Sequence, residues 1–407
     1  MNILFLPKLL PRKDVIGGPI LIHHRIKNLS GMGHKIFLIA PAYDDKDRED
    51  QSLSPFCQKI VLVDSERNRN EDEIQDLQRN HRKPRFFVTG DGGYSPEIQN
   101  ELNLISKEQR IDVILAEYAV MGQYFLDNPG IPQRTLKVIS VHECYTEAAK
   151  KRQEKGEAKP EGFDLEELKR YEFAMYEAAD LLLSLTSEDK DILVRYQAEL
   201  KNKIKVVPHG VDTEFYHPPA GRNPQSKRIL FLGNYRHRPN GHAVQTFMEF
   251  CWERIRKEVP DAEFWAVGFD PPPEITKYRS EKVFVQEGGE DVRKFYLSSD
   301  VFVAPIELGG GFRGKLLEAM STGLPVVSTR LGIAGINPVI GEEVLVADDY
   351  DLFAELTIEL LKNQELRERI GKNALGLARR FDHKMAAKKL DQVLGDALAE
   401  KSGRSSK

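Results

Sequence analysis

The sequence predicts an α/β protein with two halves, each built on a parallel β-sheet. Short apolar runs of about four to six residues recur along the chain, and helix-like segments separate them. Runs of this length without polar alternation are typical of strands buried on both faces. Alternation of strands and helices is typical of parallel sheets with right-handed crossovers. A further observation is the stretch 217–227, whose proline, polar and charged residues have the composition of a linker.

Twelve apolar runs are predicted to be strands. In the first half they span residues 3–6, 35–40, 59–63, 112–116, 136–141 and 181–185. In the second half they span residues 228–233, 262–267, 283–286, 301–305, 325–328 and 344–346. We therefore expect an N-terminal domain over residues 1–212 and a C-terminal domain over residues 225–382. Residues 383–407 are expected to form a last helix that packs back on the N-terminal domain, with a frayed end after about Ala399.

Composition excludes several classes of protein. A chain of 407 residues is long for one core, and its net charge of −4 gives no electrostatic case for a nucleic-acid partner. Cys57, Cys144 and Cys251 are far apart and odd in number, which argues against a disulfide framework or a zinc site and favours a reducing compartment. The apolar start is interpreted as a first strand, and no run of about 18 apolar residues occurs. We expect a cytoplasmic protein.

The first candidate site follows the first predicted strand. A loop leads to Gly17 and Gly18, and Pro19 then fits the first turn of a helix. The two glycines would let the loop backbone contact a ligand at the head of the first crossover. A tight turn without a ligand is an equally good interpretation of this pair.

The second candidate is His142, directly after the strand 136–141. Strand ends of open α/β sheets point into the ligand crevice, and an imidazole there could hydrogen-bond a substrate hydroxyl. A structural histidine is the alternative. The charged segment 143–167 follows it and is either a surface loop or an acceptor contact. Within this segment, 150–152 is basic, so a peripheral contact with an anionic membrane surface is left open beside a simply solvated run.

Two further segments lie near the boundary between the halves. The strand end 206–212 closes at a Pro-X-Gly turn and is interpreted as a hinge. Gly233 ends the first strand of the second half, and Arg236 and Arg238 follow it. These cations could face a diphosphate, although a solvated basic loop is equally compatible with them.

The strongest candidate is the segment 304–329. An apolar strand runs into Gly309, Gly310 and Gly311, then Arg313 and Lys315 precede a helix. Glycines allow close backbone approach to oxygen atoms, and a helix N-terminus offers unpaired N–H groups. The pattern therefore predicts a site for a phosphorylated ligand.

The same segment disfavours NAD. The glycines at 309, 311 and 314 satisfy G-x-G-x-x-G, but they come late in their domain, and no acid ends the next strand. Glu318 stands in an otherwise apolar helix start, where its carboxylate could accept two vicinal hydroxyls such as those of a ribose.

Residues 309–329 resemble the signature of the retaining GT-B glycosyltransferases of family 4, also called glycosyl transferases group 1. The resemblance extends over nearly the whole chain, because further motifs stand in the order expected for this family. They lie at residues 17–18, 31–34, 141–142, 206–212, 295–305 and 381–383.

The resemblance implies two Rossmann-like domains facing a central cleft, with an acceptor domain first and a donor domain second. On this analogy the nucleotide-diphosphate sugar is a substrate, and neither a cofactor nor a metal is used. The residues implied in catalysis are His142, which contacts the donor sugar, and Arg313 and Lys315, which neutralise the diphosphate. The residues implied in donor binding are Gly17, Gly18, Arg236, Gly309, Gly310, Gly311, Phe312 and Glu318, the last holding the ribose.

The sequence departs from the family pattern at two places. Gly310 stands where the family has a glutamate, and Glu307 comes three residues early. Asn234 and Pro239 occupy positions where the family commonly has an arginine and a lysine. Arg313 with Lys315, or Arg236 with Arg238, could supply the missing cations.

The preferred hypothesis is a retaining glycosyltransferase acting on the hydroxyl of a glycan, lipid-linked or small-molecule acceptor. The alternative from another class is a catalytically silent GT-B subunit that binds a nucleotide or glycan and serves a partner enzyme. A nucleotide-sugar epimerase would need acid/base carboxylates that the sequence does not identify. The sequence specifies neither the base, nor the sugar, nor the acceptor.

Overall fold

The computed structural model describes residues 1–12, 18–154, 156, 162–219, 226–289, 291–308 and 314–405. The chain divides into two compact units. Unit 1 comprises residues 1–208 and 386–407, and unit 2 comprises residues 209–385. The division falls within the segment 206–212, which the sequence indicated as a hinge, and it precedes the expected linker at 217–227.

Unit 1 is built on a seven-stranded parallel sheet in the order β3-β2-β1-β4-β5-β6-β7. Its strands are β1 (Asn2–Pro7), β2 (Lys35–Ala42), β3 (Lys59–Asp64), β4 (Val113–Glu117), β5 (Leu136–Val141), β6 (Leu181–Ser184) and β7 (Ile204–Val206). Its helices are α1 (Gly18–Gly31), α2 (Asp45–Glu49), α3 (Glu71–His81), α4 (Pro96–Glu108), α5 (Tyr145–Glu154), α6 (Leu165–Ala178) and α7 (Ser187–Tyr196).

The central strands of unit 1 are buried on both faces, as their unbroken apolar runs predict. Alternate residues of β1 enter different apolar clusters: Leu4 and Leu6 one, Ile3 and Phe5 the other. Helix α1 ends at a turn in which Gly33 has φ +89°, a backbone conformation that favours glycine. This turn leads the chain from α1 into β2, which pairs in parallel with β1.

Unit 2 has a six-stranded parallel sheet in the order β10-β9-β8-β11-β12-β13. Its strands are β8 (Arg228–Asn234), β9 (Glu263–Phe269), β10 (Val283–Glu287), β11 (Val301–Ala304), β12 (Val326–Ser328) and β13 (Leu345–Val346). Its helices are α8 (Arg238–Thr246), α9 (Glu253–Glu258), α10 (Pro273–Thr276), α11 (Arg293–Leu297), α12 (Gly314–Ser321), α13 (Tyr350–Lys362) and α14 (Gln364–Arg380).

The last helix, α15 (His383–Ser405), begins in unit 2 and continues in unit 1. Leu390 and Leu394 are fully buried in the same apolar cluster as the sheet of unit 1. The helix continues past Ala399, where the sequence predicted a frayed end. Lys401 Nζ lies 2.6 Å from Asp180 Oδ2 and donates to the Thr135 carbonyl at 2.9 Å, which holds the end of the helix in place.

Two Rossmann-like units with parallel sheets confirm the predicted fold class. Each of the twelve predicted runs is a strand with bounds within about two residues. Among the described residues, the three-residue strand β7 is additional to these twelve. In each sheet the strand order reverses once, between β1 and β4 in unit 1 and between β8 and β11 in unit 2. Ligands of such sheets bind outside the carboxyl ends of the strands at these switch points.

Candidate active site

The switch point of unit 1 brings together side chains from three strand ends. Lys8 follows β1, Tyr118 follows β4 and His142 follows β5, and these strands are direct neighbours in the sheet. Gly18 begins α1, the helix of the first crossover. Gly18 and His142, both predicted site residues, lie against each other in the structure.

A buried ion cluster lies beneath this site. Arg25 Nη1 donates to Glu117 Oε1 at 2.8 Å, to Glu117 Oε2 at 3.0 Å and to Ser140 Oγ at 2.9 Å. The side chains of Arg25 and Glu117 are 3% and 0% exposed. Burial alone would raise the pKa of Glu117, but Arg25 and His142 outweigh it and lower the pKa to about 2. Glu117 is therefore a carboxylate at neutral pH.

His142 is held by this carboxylate. Its Nε2 lies 2.9 Å from Glu117 Oε2, and its ring stacks on Tyr118 with a centroid distance of 4.0 Å. Because an ionised carboxylate only accepts, Nε2 carries the hydrogen. Burial lowers the pKa of His142, with Glu117 opposing the shift, so the neutral ring leaves Nδ1 as an acceptor.

Gly18 fits closely against His142 and Tyr118. A Cβ atom at position 18 would lie 1.8 Å from the Tyr118 hydroxyl oxygen and 3.2 Å from His142 Nδ1. Only glycine is compatible with this arrangement. Gly17, the other member of the predicted pair, lies outside the described residues.

Tyr118 has an unusual backbone conformation. Its φ is 76° and its ψ is 145°, which costs a non-glycine residue on the order of 1–3 kcal/mol. The Nζ atom of Lys8 lies 4.3 Å from the centre of the Tyr118 ring, and burial lowers the pKa of Lys8. The ring of Tyr118 therefore contacts both the ammonium of Lys8 and the imidazole of His142.

The switch point of unit 2 lies between the ends of β8 and β11. Gly233 near the end of β8 and Gly268 near the end of β9 allow close packing. A Cβ on Gly233 would lie 2.6 Å from Asn240 Cγ, and one on Gly268 would lie 1.8 Å from the Gly233 carbonyl oxygen. The segment after β11 contains five predicted site residues outside the described part of the chain, namely Gly309, Gly310, Gly311, Phe312 and Arg313. Helix α12 begins directly after them, at Gly314.

Lys315 points toward the end of β8. Its Nζ donates to Asn240 Oδ1 at 2.6 Å and lies 4.5 Å from the centre of the Phe231 ring. Asn240 in turn donates from Nδ2 to the Asn234 carbonyl at 2.7 Å. These contacts hold an ammonium group at the switch point, where it can face an anionic ligand.

Glu318 lies one helical turn beyond Lys315, on the same side of α12. Its Oε2 accepts a hydrogen bond of 2.8 Å from the hydroxyl of Tyr296, which is itself fully buried. Burial raises the pKa of Glu318, while Tyr296 and Lys315 oppose the shift. A partly desolvated carboxylate of this kind is suited to accepting ligand hydroxyls because they replace the lost water.

Arg236 and Glu307 have other contacts. Arg236 Nε lies 3.1 Å from Asp270 Oδ2, and its side chain is 68% exposed. Glu307, the carboxylate nearest in sequence to the family glutamate, lies 3.9 Å from His242 Nδ1. Arg236 is thus an exposed cation that follows β8 and is paired with Asp270.

Two family models match the sequence. The description "Glycosyltransferase Family 4" matches residues 17–215, and "Glycosyl transferases group 1" matches residues 226–363. Together the matches cover most of both units. The chain belongs to glycosyltransferase family 4. The expected family is confirmed, and the protein is a glycosyltransferase.

This family 4 glycosyltransferase resembles proteins with named activities. It is 26% identical over 316 residues to D-inositol 3-phosphate glycosyltransferase of Corynebacterium diphtheriae, which covers 71% of each chain. Among solved structures it is similar to sucrose-phosphate synthase of Thermosynechococcus elongatus, with a TM-score of 0.73, 17% identity and coverage of 98% and 100% of the two chains. It is also similar to Anabaena HepE in complex with UDP, with a TM-score of 0.68, 14% identity and coverage of 97% and 100%. These structures establish the GT-B fold.

Several residues of the glycosyltransferase sites were not selected from the sequence. Arg25 stands four positions after Leu21 and one before Ile26 on the buried face of α1, so a cation on an apolar helix face was the available signal. Glu117 continues a predicted strand with a charge, which is the corresponding signal in β4. Tyr296 and Asn240 carried no such signal, because only the tertiary structure brings them to α12.

Among the described residues of the glycosyltransferase, no helix combines the length and apolar character that a membrane span requires. Two of the three basic residues of α5 pair within the helix: Lys151 Nζ lies 3.2 Å from Glu147 Oε1, and Lys150 Nζ lies 3.9 Å from Glu154 Oε1. These pairs reduce the positive charge that the stretch 150–152 offers to a partner.

Proposed function

We propose that the protein transfers a sugar from a nucleotide-diphosphate sugar to an acceptor hydroxyl, with retention of anomeric configuration. The observation that carries the proposal is the arrangement on α12, where Lys315 and Glu318 share one helix face at the switch point of unit 2. An ammonium next to a carboxylate matches a ligand that has an anionic diphosphate beside a ribose diol.

Each group has a defined role in this proposal. Glu318 accepts hydrogen bonds from the two ribose hydroxyls, and Tyr296 orients its carboxylate from the opposite side. Lys315 and Arg313 balance the charge that develops on the departing diphosphate, and Arg236 adds a cation at the rim. On the family resemblance, Gly309, Gly310, Gly311 and Phe312 would contact the phosphates. The protein cations take the role that a metal ion has in other transferases.

The proposed reaction forms one bond and breaks one bond at the anomeric carbon. The bond from this carbon to the phosphate oxygen breaks, and the acceptor oxygen attacks on the same face. The acceptor proton passes to the leaving phosphate oxygen, so no protein base is required. His142 contacts the donor sugar through Nδ1, because Nε2 is committed to Glu117, and Gly18 lets the backbone approach the donor.

The relatives suggest which substrates to test first. The HepE structures contain UDP and, in another case, UDP-glucose, which makes a UDP-sugar the first donor to examine. The name of the corynebacterial relative indicates a small phosphorylated cyclitol acceptor, and that of another relative, a phosphatidyl-myo-inositol mannosyltransferase, indicates a lipid acceptor. We propose an acceptor from the glycan, lipid-linked or small-molecule classes.

A nucleotide panel tests the donor site. UDP, GDP and ADP and their glucose or mannose derivatives are added to the protein, and the melting temperature is measured. A ligand at 100 times its Kd should stabilise the folded state by about 2.7 kcal/mol. One base is expected to stabilise the protein far more than the others. If no nucleotide diphosphate changes the melting temperature, the donor assignment is wrong.

Two substitutions test the roles within that site. Glu318→Ala and Arg313→Ala are each expected to abolish transfer while leaving the circular dichroism spectrum unchanged. Near-normal turnover of the Arg313 variant would contradict its role at the diphosphate. If the wild-type protein binds the donor but transfers sugar to no acceptor and does not hydrolyse the donor, the silent-subunit hypothesis replaces this one.

We propose that the protein works in the cytoplasm and meets membranes only peripherally, through a lipid-linked acceptor. Co-sedimentation with phosphatidylglycerol vesicles, compared with phosphatidylcholine vesicles, measures this contact. Strong binding to acceptor-free anionic vesicles that is lost on replacing Lys150 and Lys151 by glutamine would instead indicate direct binding by α5.

A further inference from the structure

Unit 1 contains a cavity that the roles given above do not use. Its volume is about 440 Å³, within the range of roughly 300–1,000 Å³ that is usual for small-molecule sites. Residues of the segments 84–91 and 162–168 line it, together with Lys8, Val120 and Tyr145. All of these residues belong to unit 1.

The cavity adjoins the His142 site through a chain of contacts. Lys8 lines the cavity and lies over the ring of Tyr118, and Tyr118 stacks on His142. Lys8 and Tyr118 also follow the two strands at the switch point. The side chains of Lys8 and Tyr118 therefore connect the cavity to the imidazole that is proposed to contact the donor sugar.

Aromatic rings line part of the cavity. Phe86 lies next to Tyr145 and Phe163, with ring centroid distances of 5.3 Å and 6.5 Å. Phe163 and Tyr145 are half-buried and line the cavity. Flat aromatic faces of this kind contact the apolar C–H face of a saturated ring and bury a large area.

Among the residues that the structure describes, three carboxylates and two cations line the cavity. Asp91, Asp164 and Glu167 line it, and Asp164 is fixed because its Oδ1 accepts hydrogen bonds from the Glu166 and Glu167 amides at the start of α6. Ionised carboxylates are acceptors only, so they pair with donors such as ligand hydroxyls.

The cations that line the cavity already face carboxylates. Arg85 makes two hydrogen bonds to Glu71, of 2.8 Å and 2.9 Å, and Lys8 lies in the field of Asp91 and Glu143. Among the described residues that line the cavity, an anionic ligand would meet Glu167 and Asp164 beside cations that already have carboxylate neighbours. A neutral ligand with several hydroxyls avoids this repulsion.

We propose that this cavity is an acceptor subsite that binds a neutral pyranose ring, with Phe163 stacked on its C–H face and Glu167 accepting its hydroxyls. The inference rests on the proposed function, because an acceptor is needed only by a transferase. It restricts the acceptor class, since it requires an uncharged sugar ring next to the hydroxyl that reacts, even where another part of the acceptor bears a phosphate or lipid.

Saturation-transfer NMR on the full chain tests the subsite directly. The probes are the methyl pyranosides of glucose, galactose and mannose, with glucose 6-phosphate as the anionic counterpart. At least one methyl pyranoside should receive saturation at its ring C–H protons and bind more tightly than glucose 6-phosphate. Phe163→Ala and Glu167→Gln should each weaken this binding about tenfold, because each removes one principal contact.

Matched variants separate the subsite from general effects on folding. Phe163→Tyr retains the aromatic face, and Glu166→Gln changes the adjacent carboxylate of α6, whose side chain is 81% exposed. Both should bind the pyranoside as the wild type does. The proposal is wrong if no pyranoside binds, if the Phe163→Ala and Glu167→Gln variants bind as the wild type does, or if glucose 6-phosphate binds more tightly.

The nucleotide measurement distinguishes this proposal from the one on which it rests. Melting temperatures with and without UDP are recorded for the same samples, and the subsite variants should keep the wild-type response because none of them alters unit 2. Loss of any nucleotide response in the wild type, with pyranoside binding retained, would overturn the donor assignment alone. Retained nucleotide binding without pyranoside binding would overturn the subsite alone.

Discussion

At the scale of single residues, the two candidate sites differ in how they treat a buried carboxylate. Glu117 has an arginine and a histidine within hydrogen-bonding distance, and its pKa falls to about 2. Glu318 has a neutral tyrosine as its hydrogen-bond donor, and burial raises its pKa. The hydrogen-bond partners therefore decide the sign of the pKa shift. A lowered pKa means that the charged carboxylate stabilises the fold, and a raised pKa means that it does not.

Glu318→Gln should stabilise the ligand-free protein at neutral pH while it removes activity. The folded state holds the Glu318 proton to higher pH than the unfolded chain does, so stability is lost as pH rises above the ordinary pKa of 4.5. Glutamine cannot ionise and avoids this loss. Its amide accepts one hydroxyl less strongly than a carboxylate accepts two, so kcat/KM should fall by about 100-fold or more.

Urea denaturation at pH 7 and at pH 4 measures this effect. The variant should be more stable than the wild type at pH 7, and the difference should vanish at pH 4, where the glutamate is protonated in both states. Tyr296→Phe is measured beside Glu318→Gln, because it removes the hydrogen bond to the Glu318 carboxylate and leaves the carboxylate itself in place. A Glu318→Gln variant that is less stable than the wild type at pH 7 would contradict the argument.

Glu117→Gln should lower the free energy of unfolding at neutral pH, whereas Glu318→Gln should raise it. The depressed pKa of Glu117 means that the carboxylate contributes stability above the ordinary value of 4.5, and this contribution is lost as pH falls toward about 2. At pH 7 the variant leaves the Arg25 guanidinium buried without its counter-ion, at a cost of about 3–5 kcal/mol. The free energies of unfolding of wild type and variant should therefore approach each other as pH falls from about 4.5 toward 2.

Replacing both charges isolates the ion pair. Arg25→Met combined with Glu117→Gln removes the unbalanced guanidinium and should recover part of the lost stability at pH 7. His142 still loses its carboxylate partner in this double variant, so activity should remain low. A difference between wild type and Glu117→Gln that stays constant from pH 7 to about pH 2 would show that folding does not lower the pKa of Glu117.

At the scale of elements, both sites use a helix that begins at the switch point of its sheet. Helix α1 starts at Gly18 beside His142, and α12 starts at Gly314, one residue before Lys315. In each case the first residue of the helix is a glycine. The helix N-terminus then adds its dipole to the charges already present.

Gly18→Ala tests the close fit at the start of α1. The added methyl group would lie 1.8 Å from the Tyr118 hydroxyl, so either the helix or the ring must move. We expect a loss of activity of at least about tenfold, since the displaced groups include His142. Gly31→Ala in the same helix is the control, because a Cβ there meets nothing within 4 Å.

The control should leave activity unchanged and stability within about 1 kcal/mol of the wild type. Both variants are measured for kcat/KM and for melting temperature. Equal activity of the Gly18→Ala and Gly31→Ala variants would mean that the packing of Gly18 against Tyr118 does not matter for function.

The sequence predicted elements better than contacts. Apolar runs located the strands because burial on both faces leaves a local pattern, and Gly18, His142 and Glu318 were selected because they stand at predicted strand or helix ends. Arg25 and Glu117 are 92 positions apart in the sequence, and Tyr296 and Glu318 are 22 positions apart. Contacts of this kind follow from sheet order and helix packing, which local patterns do not contain.

At the scale of the whole molecule, the chain passes from one unit to the other at two places. The first lies between Pro208 and His209, and the second lies between Met385 and Ala386, within α15. The core of unit 1 therefore depends on residues from the far end of the chain. Unit 2 is continuous in sequence and does not depend on them.

Leu390→Ala combined with Leu394→Ala should destabilise unit 1 and leave unit 2 intact. Both side chains are fully buried in the core of unit 1, and each truncation should cost about 2–5 kcal/mol. The chain has two tryptophans, Trp252 and Trp265, and both belong to unit 2. Tryptophan fluorescence therefore follows unit 2 alone, whereas far-UV circular dichroism follows both units.

In the double variant, the circular dichroism signal should show an early transition while the fluorescence transition stays at the wild-type temperature. Lys388→Ala, at an exposed position of the same helix, should change neither transition. UDP, if it binds unit 2 as proposed, should raise the fluorescence transition of wild type and double variant equally. If both signals instead shift together, the two units unfold cooperatively, and the stability of the donor unit depends on the last helix as well.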